Sequence, residues 1–415
     1  MRVLTCLHTL EVGGSQINGI ELAGRMAALG HESIVYGPDG DLRPLVEELG
    51  LEWVEAPEKG PRLSFRSMAR LRRLVRERRI DLIHAYEWAP TMDAAFGPHL
   101  LDGVPVVTTV LSPEVPDFVP AAFPMIVGVV ELLEEESSRR PVLHLIEPPV
   151  DTELNAPAEL SAAETAALRA RFDIAEDEIA VVTVARLVVD LKREGILAAI
   201  EAVGAIADGR GGDGAGGDGA GGDVPRLRLI VVGDGPVRAE LQAAADRVNA
   251  GRDRDLVTLT GQMLDPRDAY AVADIVLGMG SSALRGMAFA KPLVVQGERA
   301  FWRLLTPESL PFFLDGGWYS LGDGVDGPGR LAGILVPLAR DAELRRRLGE
   351  LGREVVVERF SLAAAARTQA AIHAEAAAVR TTLPARLRAL AHPAVRYAAY
   401  RLHPLKRRVL AAVGR

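Results

Sequence analysis

A chain of 415 residues, 48% of them hydrophobic, exceeds what a single core holds and points to two or three globular domains. Its 56 acidic residues outnumber 48 basic ones, for a formal net charge of −8, which excludes a broadly nucleic-acid-binding surface. Cys6 is the single cysteine, so an internal disulfide framework and a cysteine-rich metal site are both excluded.

Strand and helix patterns alternate from the first residues, as in open α/β sheets flanked by helices. "RVLTCLH" reads as a strand holding Cys6 as an inert core thiol; "INGIELAGRMAALG" reads as a helix closed by Gly30, and "ESIVYG" as the next strand. "SMARLRRLVRERR" is a basic amphipathic helix, followed by strands in "IDLIHAY" and "VPVVTTVL". "MIVGVV" and "VLHLIEPP" close a first half near residue 150. The second half runs through strand "IAVVTVARL", helix "EGILAAIEAVGAIA", and strands in "LRLIVVGDG", "LVTLTG", "ADIVLGM" and "PLVVQG". The simplest topology is two Rossmann-like halves, 1–150 and 151–360, joined near "EPPVDTELNAP", with a helix over 361–378 and a basic extension over 379–415. The start lacks a secretory signal, and no run reaches the roughly 18 apolar residues of a membrane span. A cytoplasmic protein is expected.

Between the halves' helices and strands, "DGRGGDGAGGDGAGGD" (208–223) carries too little apolar surface to offset its ordering entropy and reads as a disordered surface loop. A calcium-binding nonapeptide repeat needs apolar residues that the stretch lacks.

Ligands of doubly wound sheets bind at the carboxyl ends of strands. "EVGGSQ", "VGDGP" and "GMGSS" fall at such ends, and none is a dinucleotide or phosphate-loop fingerprint. In "VARLVVDLKREG" a strand runs into Arg186, and Lys192 follows six residues later. Two cations there form a clamp suited to a diphosphate; the alternative is a solvated charged loop. Arg285 is read in the first turn of the helix after "GMGSS", where a cation opposes the helix dipole and calls for a compensating anion, a phosphate or an acidic neighbour. No metal-ligand spacing and no Ser-His-Asp arrangement is found.

These segments, "GGSQ", "DLIHAY", "PPVDTELNAP", "ARLVVDLKREG", "LIVVGDGP", "VTLTGQM" and "LRGMAFAKPLVV", resemble glycosyltransferase family 4 over roughly residues 1 to 375. The resemblance implies a GT-B fold, α/β with two Rossmann-like domains facing across a central cleft. It also implies retaining, metal-independent transfer from a nucleotide sugar, which is substrate rather than cofactor. Arg186 and Lys192 would hold the donor diphosphate as the catalytic pair. Gly13, Gly14, Gly233, Ser281, Ser282 and Arg285 would line the donor; Ser15, Gln16 and His84 would lie on the acceptor side. The chain departs from the family in three places. Arg285 stands where the second of two glutamates is usual, no acid occurs from Ile275 to Ala290, and Leu111 replaces a common histidine. Glu298 and Glu308 are the nearby acids, with surface or capping roles expected.

After Glu375 there are no acidic residues, while arginines and lysines interleave with Leu, Val and Tyr, the composition of an interfacial helix on anionic lipid. Pro384, Pro393 and Pro404 are expected to break it into pieces. Such a tail suits a lipid-linked or cell-envelope glycan acceptor. The rival class is a non-catalytic GT-B protein that binds a sugar nucleotide or serves as a partner subunit; an epimerase or phosphorylase of the same fold comes third.

Deleting Gly211 to Gly222 should leave the melting temperature and ligand binding nearly unchanged, because closure entropy grows only logarithmically with loop length. A large loss of thermal stability would show a packed loop.

Overall fold

The structure is a computed structural model that describes residues 1–57, 63–112, 114–157, 160–210 and 225–413, with side chains through 402. The glycine-rich loop expected over 208–223 lies almost wholly outside the described residues. The chain divides into two compact units, Met1–Pro149 with Leu362–Arg415, and Val150–Ser361.

The first unit is built on seven strands, β1 Arg2–Cys6, β2 Glu32–Gly37, β3 Glu52–Glu55, β4 Leu82–Tyr86, β5 Val106–Val110, β6 Met125–Val127 and β7 Leu143–Leu145. Their order is β3-β2-β1-β4-β5-β6-β7, parallel throughout. The central strands are buried on both faces, which is why they read as continuous apolar runs rather than alternating ones. The second unit has six, β8 Glu178–Val184, β9 Arg226–Val232, β10 Val257–Gly261, β11 Ile275–Gly278, β12 Leu293–Gln296 and β13 Trp302–Leu304, in the order β10-β9-β8-β11-β12-β13. Five run parallel, and β13 pairs antiparallel with β12 at the edge. In each unit the strand order reverses beside the first strand, between β1 and β4 and between β8 and β11. Those are the points where loops diverge and leave a crevice at the carboxyl ends.

The linker segment is fastened within the second unit. Val150 N–H donates to Phe360 O at 2.9 Å, and the Arg353 guanidinium donates to the carbonyls of Thr152, Asn155 and Ala288. Helix Leu362–Ala378 belongs to the first unit, where Ile372 and Ala376 share a core with Val3, Leu82, Val107 and Ile126.

The expectation of a tail broken at its prolines is overturned. Leu383–Val413 is one helix of 31 residues. Pro384 is its second residue, where no intrahelical N–H bond is lost. Pro393 does forfeit one, but it lies on the buried stripe of Arg386, Leu390, Pro393 and Tyr397, whose packing against the first unit holds the helix through it. Leu383, Leu387, Val395 and Leu402, outside that stripe, are exposed. Among the described residues no helix is long and apolar enough to cross a membrane.

His84, expected on the acceptor side, is instead a core group. It has no exposed surface; its Nε2 pairs with Thr109 Oγ1 at 2.7 Å and its Nδ1 with His373 Nε2 at 3.1 Å. Its position in the middle of the central strand β4, beneath helix Leu362–Ala378, keeps it from any ligand.

Burial pushes His373 down to about 3 and His84 well below the 6.5 of a free histidine. Both therefore bind protons more readily in the unfolded chain. Their contribution is complete above pH 6.5 and is lost progressively as pH falls below 6.5, for His373 down to about 3. Urea midpoints between pH 7 and 5 should fall in the wild type and less steeply in His373→Gln.

Candidate functional site

Loops from four adjacent parallel strands, β9, β8, β11 and β12, meet at the carboxyl edge of the second unit's sheet. The loop after β8 is laced to the one after β9: Ala185 N–H donates to Val232 O, Leu187 N–H to Asp234 O, and Val237 N–H to Leu187 O. Gly233 is required there, because at φ 145 a Cβ would stand 1.8 Å from Ala185 O. Its role is to let the two loops touch.

Arg186 is exposed at the end of β8, and Lys192 is half-buried in the same loop. Among the described residues neither side chain makes a hydrogen bond or an ion pair with a protein group, whereas the neighbouring Arg193 is matched by Glu240, with Nε to Oε2 at 2.7 Å. Burial, and then the Arg186 charge, push Lys192 down to about 8. Two cations that repel each other, one of them partly desolvated, form a site that an anion would complete.

The loop is held in this conformation from below. Leu191 adopts φ 68, unfavourable for a branched residue, and its N–H donates to Glu298 Oε1 at 3.2 Å. Buried Gln296 donates to the carbonyls of Leu191 and Lys192, each at 3.4 Å, and Gly195 leaves room for it, since a Cβ there would lie 2.3 Å from Gln296 Nε2. Glu298 also accepts from Tyr319 Oη at 2.6 Å. Glu194 takes the amides of Arg299 and Ala300 at 3.0 and 2.6 Å. Glu298 is thus a brace for the cation loop, and the Glu308 carboxylate is turned to the Thr306 side chain. Gln296, Glu194 and Tyr319 were not singled out in the sequence; a polar residue ending the apolar run "PLVVQ" was the only signal available.

Helix Ser281–Ala288 follows β11. Its start is set by Gly280, at φ 53 and ψ −131, whose N–H donates to Trp318 O at 2.9 Å. No side chain caps this terminus. Ser281 is exposed, while the Ser282 hydroxyl donates to Met279 O at 2.9 Å and accepts from Met279 N at 3.2 Å. The expected place of Arg285 is corrected: it is the fifth residue and belongs to the last turn. There a cation agrees with the dipole, so no compensating phosphate is needed. Arg285 is half-buried and acts electrostatically on Asp265 and Tyr270; the Asp265 carboxylate is held low by Arg267 first and also by Arg285.

In the first unit, Gly13 and Gly14 open helix Gly14–Ala28, again without a side-chain cap. The Ser15 hydroxyl donates to Gln16 Oε1 at 3.1 Å, and buried Gln16 pairs through Nε2 with His8 Nε2 at 2.9 Å. A Cβ on Gly13 would meet Gln16 Oε1 at 2.3 Å, and one on Gly14 would meet nothing within 4 Å. Glu87, unnoticed in the sequence, closes β4: it is buried, and its carboxylate accepts from Leu111 N at 3.0 Å and Ser112 Oγ at 2.6 Å. Leu111 therefore contributes its backbone rather than a side chain. No group of three or more potential metal ligands occurs among the described residues.

Residues 12–153 match the model of Glycosyltransferase Family 4. HepE of Anabaena, solved with UDP and glucose, superposes with a TM-score of 0.68 at 16% identity over 90% of this chain and 100% of that one. A glycosyltransferase from Rickettsia africae gives 0.67 at 15% identity over 90% and 98%. WaaG, described as acting in lipopolysaccharide biosynthesis, gives 0.58 at 16% identity over 89% and 99%. The fold is GT-B. No curated protein sequence matches this chain.

Because Arg285 suits its place in the second unit electrostatically, Arg285→Glu should lower the apo melting temperature by about 2–4 °C, for roughly 1 kcal/mol lost to the dipole and to repulsion by Asp265. An unchanged or raised value would return Arg285 to the role of a phosphate ligand.

Proposed function

We propose that the protein transfers a sugar from a nucleotide-sugar donor to an acceptor hydroxyl, without a metal and with retention of configuration. The observation that carries this reading is the uncompensated pair Arg186 and Lys192 at the carboxyl edge of the second sheet. In the reaction the bond between the sugar C1 and the diphosphate oxygen breaks, the acceptor oxygen bonds to C1, and its proton passes to the departing phosphate. Charge accumulates on the diphosphate, and a fixed guanidinium and ammonium beside it lower the barrier without any protein nucleophile. The glycine-opened, uncapped helix start at Gly280, in the same unit as the cation pair, offers amide groups to the same ligand. HepE, which binds UDP and UDP-glucose, supports a uridine nucleotide as the first donor to test. The exposed apolar and arginine face of helix Leu383–Val413 supports peripheral attachment to an anionic bilayer and a cell-envelope acceptor.

A non-catalytic sugar-nucleotide-binding protein is the second reading. It is favoured by the absence of any acid between Ile275 and Ala290, where the family pattern carries two glutamates.

Arg186→Ala and Lys192→Ala should each weaken UDP binding by about 1.5–3 kcal/mol, measured by titration calorimetry. Wild-type affinity should also fall as pH rises above about 8, where Lys192 loses its proton, and Lys192→Arg should flatten that fall. Unchanged affinity in both alanine variants removes the pair from the site. Binding without transfer across UDP, GDP, dTDP and ADP sugars supports the second reading.

A further inference from the structure

A cavity of about 360 Å³ lies wholly within the first unit, at the carboxyl ends of β1 to β5. That volume falls in the range of small-molecule pockets, about 300–1,000 Å³. The cation pair of the second unit plays no part in it.

Its walls are mostly apolar and flat: Leu7, Tyr36, Pro57, Leu71, Trp88 and Pro90 supply them. Three features show what it would take. First, Tyr36 lines this space, and its buried hydroxyl has no hydrogen-bond partner among the described residues. Second, Glu87 stands at φ 67 and ψ 169, a conformation that only glycine adopts readily, and its two oxygens are fixed by Leu111 N–H and Ser112 Oγ–H. Each oxygen keeps a further lone pair, so a ligand hydroxyl can donate to a carboxylate already locked in place. Third, among the described residues the charged side chains of the lining are Glu87 and Asp93, with no described lysine or arginine beside them. His8 is tied to Gln16, and burial lowers it, keeping it neutral. Arg70, which acts on Tyr36 from outside the lining, donates Nη2 to Glu55 O at 2.8 Å. Among the described residues of the lining, a phosphate or carboxylate would meet two acids and no cation.

We infer that this cavity receives an uncharged alcohol or phenol with a flat apolar body, held between Tyr36 and Trp88, with its hydroxyl donating to Glu87. That this molecule is the acceptor rests on the transferase reading; the preference of the cavity does not.

The test is calorimetric titration of the full chain with 2-naphthol and with 2-naphthoate, which share a ring system and differ in charge. The expected result is binding of 2-naphthol at least tenfold tighter than 2-naphthoate. Ala89→Phe, which fills the space from its lining, should weaken 2-naphthol at least tenfold while leaving UDP binding unchanged. Glu87→Gln should weaken it several-fold. Equal binding of the two probes, no binding of either, or wild-type affinity in a folded Ala89→Phe protein overturns the inference. If Ala89→Phe does not fold, the contrast between the probes on wild type and the Glu87→Gln variant decide it. Supplying UDP-sugars separates the two readings. Naphthol that binds but is never glycosylated leaves the cavity standing and removes its occupant from the acceptor role, whereas transfer to other acceptors without naphthol binding leaves the transferase standing and sinks the cavity.

Discussion

Keeping an ammonium half-buried beside a guanidinium, with no carboxylate to neutralise either, is the constraint around which the second unit is arranged. Left alone, the Lys192 loop would swing out to water or recruit an acid, as Arg193 does with Glu240. Instead its backbone is pinned by Glu298, Gln296 and Tyr319, and the next turn by Glu194, so the nearby carboxylates are spent on amides and a phenol rather than on the cations. The sheet makes this possible because β8, β11 and β12 are adjacent and parallel, which brings their outgoing loops to one edge. A strained Leu191 and a glycine at 195 are part of the cost of that geometry.

The first unit solves a related problem with the opposite charge. Glu87 is carried out of β4 in a conformation that glycine would hold with less strain, and the strain is met by three contacts: its N–H on Thr109 O and its carboxylate on Leu111 and Ser112. In both units the unusual backbone falls at the reversal of strand order, where the scaffold is rigid and loops can specialise.

Most of the architecture was legible because parallel strands buried on both faces leave unbroken β-branched runs. Helix Glu194–Ala207 coincides with the segment read from its sequence. The strands that escaped notice are edges: "EWVE" of β3 is half polar, and "WRL" of β13 is three residues long. Arg186 and Lys192 were visible as cations at a strand end, but their lack of a partner is a tertiary fact. Arg285 was misplaced by half a helix because Gly280 turns the chain directly into Ser281, an entry fixed by a hydrogen bond to Trp318 nearly forty residues away. His84 was read as lying at a strand end, whereas it is the middle residue of β4 and helix Leu362–Ala378 lies over it. Glu87 carries no local signature at all, since both its burial and its φ arise from neighbours on β5.

The division of the chain also sets an order of assembly. The second unit is spelled out in full between Pro149 and Leu362, so the ribosome completes it before making the helices that roof the first sheet. Until then Val3, Leu82, Val107 and Ile126 lack the cover of Ile372 and Ala376, and the neighbouring core lacks Leu390. The earliest-made sheet is thus among the last parts of the molecule to close. During synthesis it is an oily open face, and truncation anywhere before residue 362 would leave that face to chaperones or to aggregation.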